Sequence, residues 1–290
     1  MEQRIFIPGS EWVYFKIYTG TKTADTILKN NIYHYIREMA ENDVINKWFF
    51  IRYSDPDFHI RLRLHLKDLK HFNFIFNRLS ESFYPLIHNG LVWNILCDTY
   101  KREIERYGAN TISLIEELFF IDSEYIIRLL SQFGGERAEP MRWKLALLLI
   151  DSFLSAFSFH LTYRRDLLKT MADNYKKEFG YTFHNATKPL NDKYRLYRME
   201  IENVMLMKTD TTGIIDVVKE RKQAIQPLIE KLTRMEKAGE ILVSMQSLIS
   251  SLIHMTMNRW FRTKNRLHEM VIYEFLSRYY TSELAKRVSI

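Results

Sequence analysis

His59-Ile60-Arg61-Leu62-Arg63-Leu64-His65-Leu66 alternates cationic and apolar residues without a break. On a β-strand, residues two apart share a face. Ile60, Leu62, Leu64 and Leu66 are therefore expected to face a core, with His59, Arg61, Arg63 and His65 on the other side. Two arginines on one strand face lie roughly 6.5–7 Å apart and repel. Carboxylates covering the row, or a bound anion, relieve that repulsion. A guanidinium suits the second case, because its planar fork donates two parallel hydrogen bonds to a carboxylate or phosphate. Alternation is also the ordinary signature of a strand with one solvated face, and the residues alone leave both readings open.

Two further clusters carry reactive side chains. Asp98-Thr99-Tyr100-Lys101-Arg102-Glu103-Ile104-Glu105-Arg106-Tyr107-Gly108 mixes both charge signs with two tyrosines. It stands where a strand should end, a common place for functional residues. Read blandly, it is a salt-bridged turn whose Glu103 and Glu105 neutralise Arg61 and Arg63. In Ser250–Phe261, His254 and Asn258 fall one helical turn apart on one face, inside an apolar context of Leu248, Ile249, Leu252, Ile253 and Phe261. A histidine held there is a candidate general acid or base, since its pKa is easily tuned near neutrality. Its bland counterpart is a core histidine bonded to a backbone carbonyl.

The elements that position these clusters follow from pattern. Trp12–Tyr18 is a predicted strand and Ala24–Met39 a helix. Trp48–Tyr53 and His59–Leu66 are strands joined by the turn Ser54-Asp55-Pro56-Asp57. Lys70–Phe83 is a helix, and Val92 to about Tyr100 a fourth strand. The β-α-β-β-α-β order is that of a ferredoxin-like sheet layer. Beyond Gly108 only helical periodicity remains, over 111–121, 123–132, 140–179, 188–206, 213–237, 240–262 and 264–287. The 140–179 segment is expected to break near Tyr163-Arg164-Arg165, and Gly134-Gly135 and Gly180 mark loops. The expectation is an α+β protein: a mixed part over 1–108, then a larger helical part over 109–290 that completes the same domain.

Composition narrows the function classes. With 290 residues, 47% hydrophobic, 19 Phe, 17 Tyr and 5 Trp, the chain has ample material for a large core. The net charge of +7 favours anionic partners without choosing among them. A single cysteine, Cys97, excludes an internal disulfide framework and a multi-cysteine zinc site. No signal peptide is recognised at the start, and no apolar run reaches about 18 residues; the expected location is cytoplasmic. The nine histidines show no metal spacing, and phosphate-loop, G-x-S-x-G and H-E-x-x-H motifs are absent. Basic–aromatic runs such as Tyr194-Arg195-Leu196-Tyr197-Arg198 fit a solvated helix face better than nucleic-acid binding.

Taken together and in order, the clusters resemble a known family. Trp48-Phe49-Phe50-Ile51-Arg52-Tyr53-Ser54-Asp55-Pro56 followed by His59-Ile60-Arg61-Leu62-Arg63 is similar to the signature of the C-terminal glutamate-elimination domain of lantibiotic dehydratases, also found as separate proteins in thiopeptide-type bacteriocin pathways. Asp98-Thr99-Tyr100 with Arg102-Glu103 and Arg106-Tyr107-Gly108 resembles its second block, and His254-Met255 with Asn258-Arg259 its third. The resemblance covers essentially the whole chain. It implies a lyase that removes glutamate from glutamylated Ser or Thr of a precursor peptide, leaving dehydroalanine or dehydrobutyrine. It implies Arg61, Arg63, Glu103, Arg106 and His254 as catalytic residues. Arg52, Tyr53, His59, Arg102, Asn258 and Arg259 are implied to contact or orient substrate. No cofactor or metal is implied. The implied partners are the precursor peptide and a separate glutamyl-tRNA-dependent glutamylation protein, without direct nucleic-acid contact, and the family's full-length enzymes suggest a homodimer. Relatives that join two dehydroalanines in a formal [4+2] cycloaddition supply an alternative function, and a non-catalytic peptide-binding role supplies another.

Overall fold

The computed structural model describes residues 2–132, 138–181, 183–207 and 213–288. The chain divides into two compact units, Met1–Phe133 with Arg234–Leu248, and Gly134–Thr233 with Ile249–Ile290.

The first unit is built on an antiparallel sheet. Its strands β2 (Trp12–Thr19), β3 (Ile45–Ser54), β4 (Phe58–Leu66) and β5 (Val92–Asp98) lie in the order β3-β4-β2-β5. A separate two-stranded ribbon pairs β1 (Ile5–Phe6) with β6 (Tyr100–Lys101). A continuous helical stretch joins β2 to β3: α1 (Thr23–Ile27), a π-turn (Leu28–Ile32) and α2 (Tyr33–Glu41). A short 3-10 turn (Leu69–His71) and α3 (Phe72–His88) join β4 to β5. The turn opens on Asp68, whose carboxylate accepts the Lys70 N–H at 2.9 Å, supplying a partner for an otherwise orphaned donor. After β6 come α4 (Ile104–Tyr107) and α5 (Ile112–Gln132).

Register fixes what each sheet face carries. Val13, Phe15 and Ile17 of β2 oppose Leu64, Leu62 and Ile60 of β4, and all six are fully buried. This is the core face expected from the alternation. The opposite face is not simply solvated: His59 and Arg63 are buried there too. The outer edge of β3 is closed by α5. Ser123 Oγ accepts the Phe50 N–H at 3.2 Å, Trp48 Nε1 donates to Glu124 at 2.6 Å, and Lys47 pairs with Glu117 at 2.9 Å.

The second unit is helical: α6 (Ala138–Ala156), α7 (Leu161–Glu178), α8 (Phe183–Met205) and α11 (Asn265–Val288), with most of α9 (Ile214–Lys237) and α10 (Met245–Trp260). Residues Leu145 to Ile150 of α6 are all buried, the pattern of a central helix enclosed on every side. Among the described residues no helix is long and apolar enough to cross a membrane.

Three elements differ from expectation for local reasons. The fourth strand ends at Asp98, whose side chain accepts the Thr99 N–H at 2.7 Å, and Tyr100 enters the small ribbon instead. Segments 111–121 and 123–132 form one helix, because nothing at Asp122 breaks it. The long 140–179 segment breaks at 157–160, where Ser158 adopts φ 58°, not at Tyr163–Arg165. Arg164 instead donates through Nε to the Phe159 carbonyl at 2.9 Å, tying the start of α7 to the break. The Gly134–Gly135 loop lies outside the described residues.

Candidate active site

Rungs across the sheet collect the first group of side chains. Asp98, Tyr14, Arg63 and Phe49 stand opposite one another across β5, β2, β4 and β3. Leu96, Lys16, Arg61 and Ile51 form the next rung, followed by Asn94, Tyr18, His59 and Tyr53.

Arg63 is only 8% exposed. Its guanidinium carbon lies 4.5 Å from the Tyr14 ring, 4.9 Å from Tyr100 and 5.1 Å from Phe49. Among the described residues it makes no ion pair, and its buried Nε has no hydrogen-bond partner. Aromatic faces attract a cation, but they leave unmet the five N–H donors of a guanidinium. An unpaired buried charge is costly, so the arrangement favours an incoming carboxylate.

Arg61 is oriented rather than neutralised. Its guanidinium stacks 3.4 Å over Tyr53, and its Nε–H donates to His59 Nε2 at 3.1 Å. His59 is fully buried, and its Nδ1 lies 2.8 Å from the Asp57 carbonyl. The carbonyl can only accept, so the proton sits on Nδ1 and Nε2 is free to accept from Arg61. Burial pushes the His59 pKa down, which keeps the ring neutral. Lys16 on the same rung pairs with Asp98. Their hydrogen bond holds the lysine pKa up and the aspartate pKa down.

The second cluster divides in two. Arg102 is committed internally: Nε and Nη2 grip buried Glu116 at 2.7 and 2.6 Å, while Nη1 meets Glu2 at 2.7 Å and the Gln3 carbonyl at 3.0 Å. It is a clamp between the amino-terminal segment and α5. Glu103 is exposed and pairs with Arg106 at 3.4 Å, and Arg106 lies over Tyr107. Glu105 pairs with Arg4. Among the described residues, then, neither Glu103 nor Glu105 pairs with Arg61 or Arg63. Arg52 is likewise absent from the arginine face. It opposes Ile60 on the core face and is buried against Asp25 at 2.6 Å, because an odd step along β3 turns the side chain over.

In the second unit, His254 Nδ1 lies 3.0 Å from both carboxylate oxygens of Glu269. Glu269 is fully buried and also accepts from Tyr175 at 3.1 Å and Tyr273 at 2.7 Å. Burial pushes both tyrosine pKa values up, so the hydroxyls stay protonated as donors. A carboxylate on Nδ1 fixes the ring and leaves Nε2 for proton transfer. Asn258 follows one turn later, half-buried. Arg259 is buried within the helical unit and donates to the Met255 carbonyl at 3.1 Å. Sequence reasoning missed Glu269, Tyr175 and Tyr273. The i, i+4 spacing of Glu269 and Tyr273 was the available signal, but nothing in the pattern linked it to His254. Among the described residues no group of three His, Cys, Asp or Glu could hold a metal ion.

The fold is α+β, with a cation-bearing sheet face in the first unit and a carboxylate-held histidine in the second. The chain belongs to the lantibiotic biosynthesis dehydratase C-terminal family, whose model matches residues 12–280. It is 27% identical over 294 residues to the nisin biosynthesis protein NisB of Lactococcus lactis subsp. lactis, covering 98% of this chain and 27% of that protein. It spans about a quarter of the length of the curated relatives it matches. The fold is similar to that of the tRNA-dependent lantibiotic dehydratase MibB from Microbispora sp. 107891, with TM-score 0.75, 20% identity, and coverage of 96% of this chain and 29% of that chain. It is also similar to TbtD, the pyridine synthase from thiomuracin biosynthesis, with TM-score 0.72, 12% identity, and coverage of 94% of this chain and 98% of that one.

Proposed function

We propose that this chain is a lyase that eliminates glutamate from glutamylated Ser or Thr of a ribosomally made precursor peptide. The observation that carries the reading is Arg63, a nearly buried guanidinium ringed by three aromatic side chains with no counter-ion among the described residues. A glutamyl ester brings one carboxylate to such a site, and the departing glutamate generates a second. In the reaction, the peptide Cα–H and Cβ–O bonds break and a Cα=Cβ bond forms. The Cα proton goes to a base, and the Cβ–O electron pair leaves on glutamate. Arg61, Arg63 and Arg106 hold the glutamyl group and stabilise its developing charge. Glu103 orients Arg106, or receives the substrate ammonium. His254, held by Glu269, transfers the proton through Nε2 as base or as acid toward the leaving group. Tyr53 and His59 set Arg61, and Asn258 supports the His254 end.

In this reading, both units form one elimination domain, with a ferredoxin-like layer supported by the strand order β3-β4-β2-β5. The protein works in the cytoplasm as a homodimer, beside a glutamyl-tRNA-dependent glutamylating partner. A second reading, cycloaddition between dehydroalanines, is favoured by the near end-to-end match of this chain to the pyridine synthase fold.

Mass spectrometry of a synthetic glutamylated Ser/Thr peptide after incubation with the protein tests these readings. Loss of one glutamic acid per site, abolished by Arg63→Ala and by His254→Ala, is the expected result. An unchanged ester combined with tight peptide binding would replace the lyase by a presenter. Ring formation on a dehydroalanine peptide, with the ester untouched, would replace it by the cycloaddition.

A further inference from the structure

The two edges of the main sheet are treated differently. The β3 edge is closed by α5, whereas β5 ends the sheet and, among the described residues, nothing pairs with its outer side. Natural proteins usually blunt such an edge with lysine, proline or a bulge. β5 has a bulge at Trp93, where the register shifts, and Asn94–Asp98 beyond it stay paired to β2 in plain register. Val92 to Cys97 carry no charge. Trp93 is 54% exposed and Leu96 41%, beside Tyr84 at 67% on α3.

The edge opens onto two different environments. Asn94, Leu96 and Asp98 share the face of Lys16, Arg61 and Arg63. Ile95 and Cys97 point the other way, into an apolar groove of about 260 Å³ walled by Leu79, Ser80, Phe83 and Tyr84 of α3.

We propose that the β5 edge is where the substrate peptide docks, as an added antiparallel or parallel strand, with the glutamylated side chain on the arginine face and its two sequence neighbours in the α3 groove. The inference rests on the elimination reading and adds the mode of peptide capture and its specificity. An edge strand supplies unpaired backbone donors and acceptors, which give affinity, while alternating pockets give selectivity. Charge decides the orientation: the carboxylate of the modified residue belongs on the side with Lys16 and the arginines. An added strand lies two strand spacings from β2, about 10 Å, a span shared by the glutamyl group and the Lys16 side chain, which already reaches Asp98 on β5. Strand alternation then places residues i−1 and i+1 in the groove, so an apolar neighbour of the modified Ser or Thr is selected.

The protein's one cysteine, half-buried in this groove, is a built-in reporter. Burial pushes its pKa up, so alkylation by iodoacetamide is slow and readily followed. The probes are short peptides carrying a non-eliminable glutamyl amide, flanked by leucine, by lysine, or by leucine with backbone N-methylation. The leucine peptide is expected to slow Cys97 alkylation and to bind about tenfold or more tighter than the other two, the worth of one buried leucine. Ser80→Trp, at an exposed position of α3, fills the groove and is expected to abolish the added slowing that the leucine peptide gives over the peptide-free variant. Equal binding of all three peptides, or an added slowing in Ser80→Trp as large as the parent's, would overturn the proposal. So would a dimer in sedimentation that already shields Cys97 and falls apart in Ser80→Trp, since the edge would then belong to a second copy. Protection without turnover of the matching ester would sink the elimination reading and leave the groove standing. Turnover without protection would do the reverse.

Discussion

In the proposed reaction His59 acts only through its neighbour. Its Nε2 holds Arg61, its Nδ1 is tied to Asp57, and burial lowers its pKa. Arg61 and Lys16 push it further down, and Asp55 opposes them. The unfolded chain therefore binds a proton more readily than the folded one. Stability is complete above the ordinary histidine pKa of about 6.5 and is lost as pH falls through it toward the lowered folded value. Protonation would also remove the acceptor for the Arg61 Nε–H. His59→Gln keeps an acceptor that does not titrate, so its denaturant midpoint should change less than the parent's between about pH 7 and pH 5. A parent-like acid loss in the glutamine variant would refute this account. Glu269 plays the matching part for His254. Glu269→Gln should leave peptide binding in place while turnover falls by about 10²–10⁴-fold, the usual worth of an oriented acid–base group. A fall in binding affinity with turnover intact would show that the carboxylate is structural only.

The strands explain why some of the expected residues converge and others do not. Period-two alternation alone put Arg61 and Arg63 on one face and Leu62 and Leu64 on the other, as found. The same rule, applied to β3, puts Phe49, Ile51 and Tyr53 on the arginine face and turns Arg52 away. The motif that holds Arg52 runs along the chain, whereas the arginine face is assembled across strands. The partner of Arg102 was not legible for a different reason: Glu116, which grips it, lies on a helix whose docking no local pattern announces. The Glu269 hub was hidden likewise, since pairing α10 with α11 and α7 is a tertiary fact. Asp25→Ala tests the revised role of Arg52. Removing the carboxylate from a buried pair should cost about 3–5 kcal/mol, read from denaturant unfolding, with elimination by the remaining folded protein near normal. Loss of substrate affinity without loss of stability would return Arg52 to the site.

At the scale of the whole molecule, the elimination reading rests on the charge of the site. Under the elimination reading the cation row takes up a carboxylate, and a plain serine hydroxyl offers none. Hydroxide is also a poorer leaving group than the carboxylate of glutamate, so the proposed elimination needs an activated ester. An unmodified precursor peptide mixed with this protein alone should keep its mass. Adding a glutamylating partner with glutamyl-tRNA should give dehydration, about 18 Da lost per site by the stoichiometry of elimination. Replacing this chain by Arg63→Ala in that mixture should instead leave glutamyl adducts on the peptide. With a net charge of +7 and a guanidinium–carboxylate contact at the site, added salt should weaken binding of the glutamylated peptide more than that of the unmodified one. Dehydration of the unmodified peptide by this chain alone would break the argument at its root, because the arginine face would then be gripping something other than glutamate.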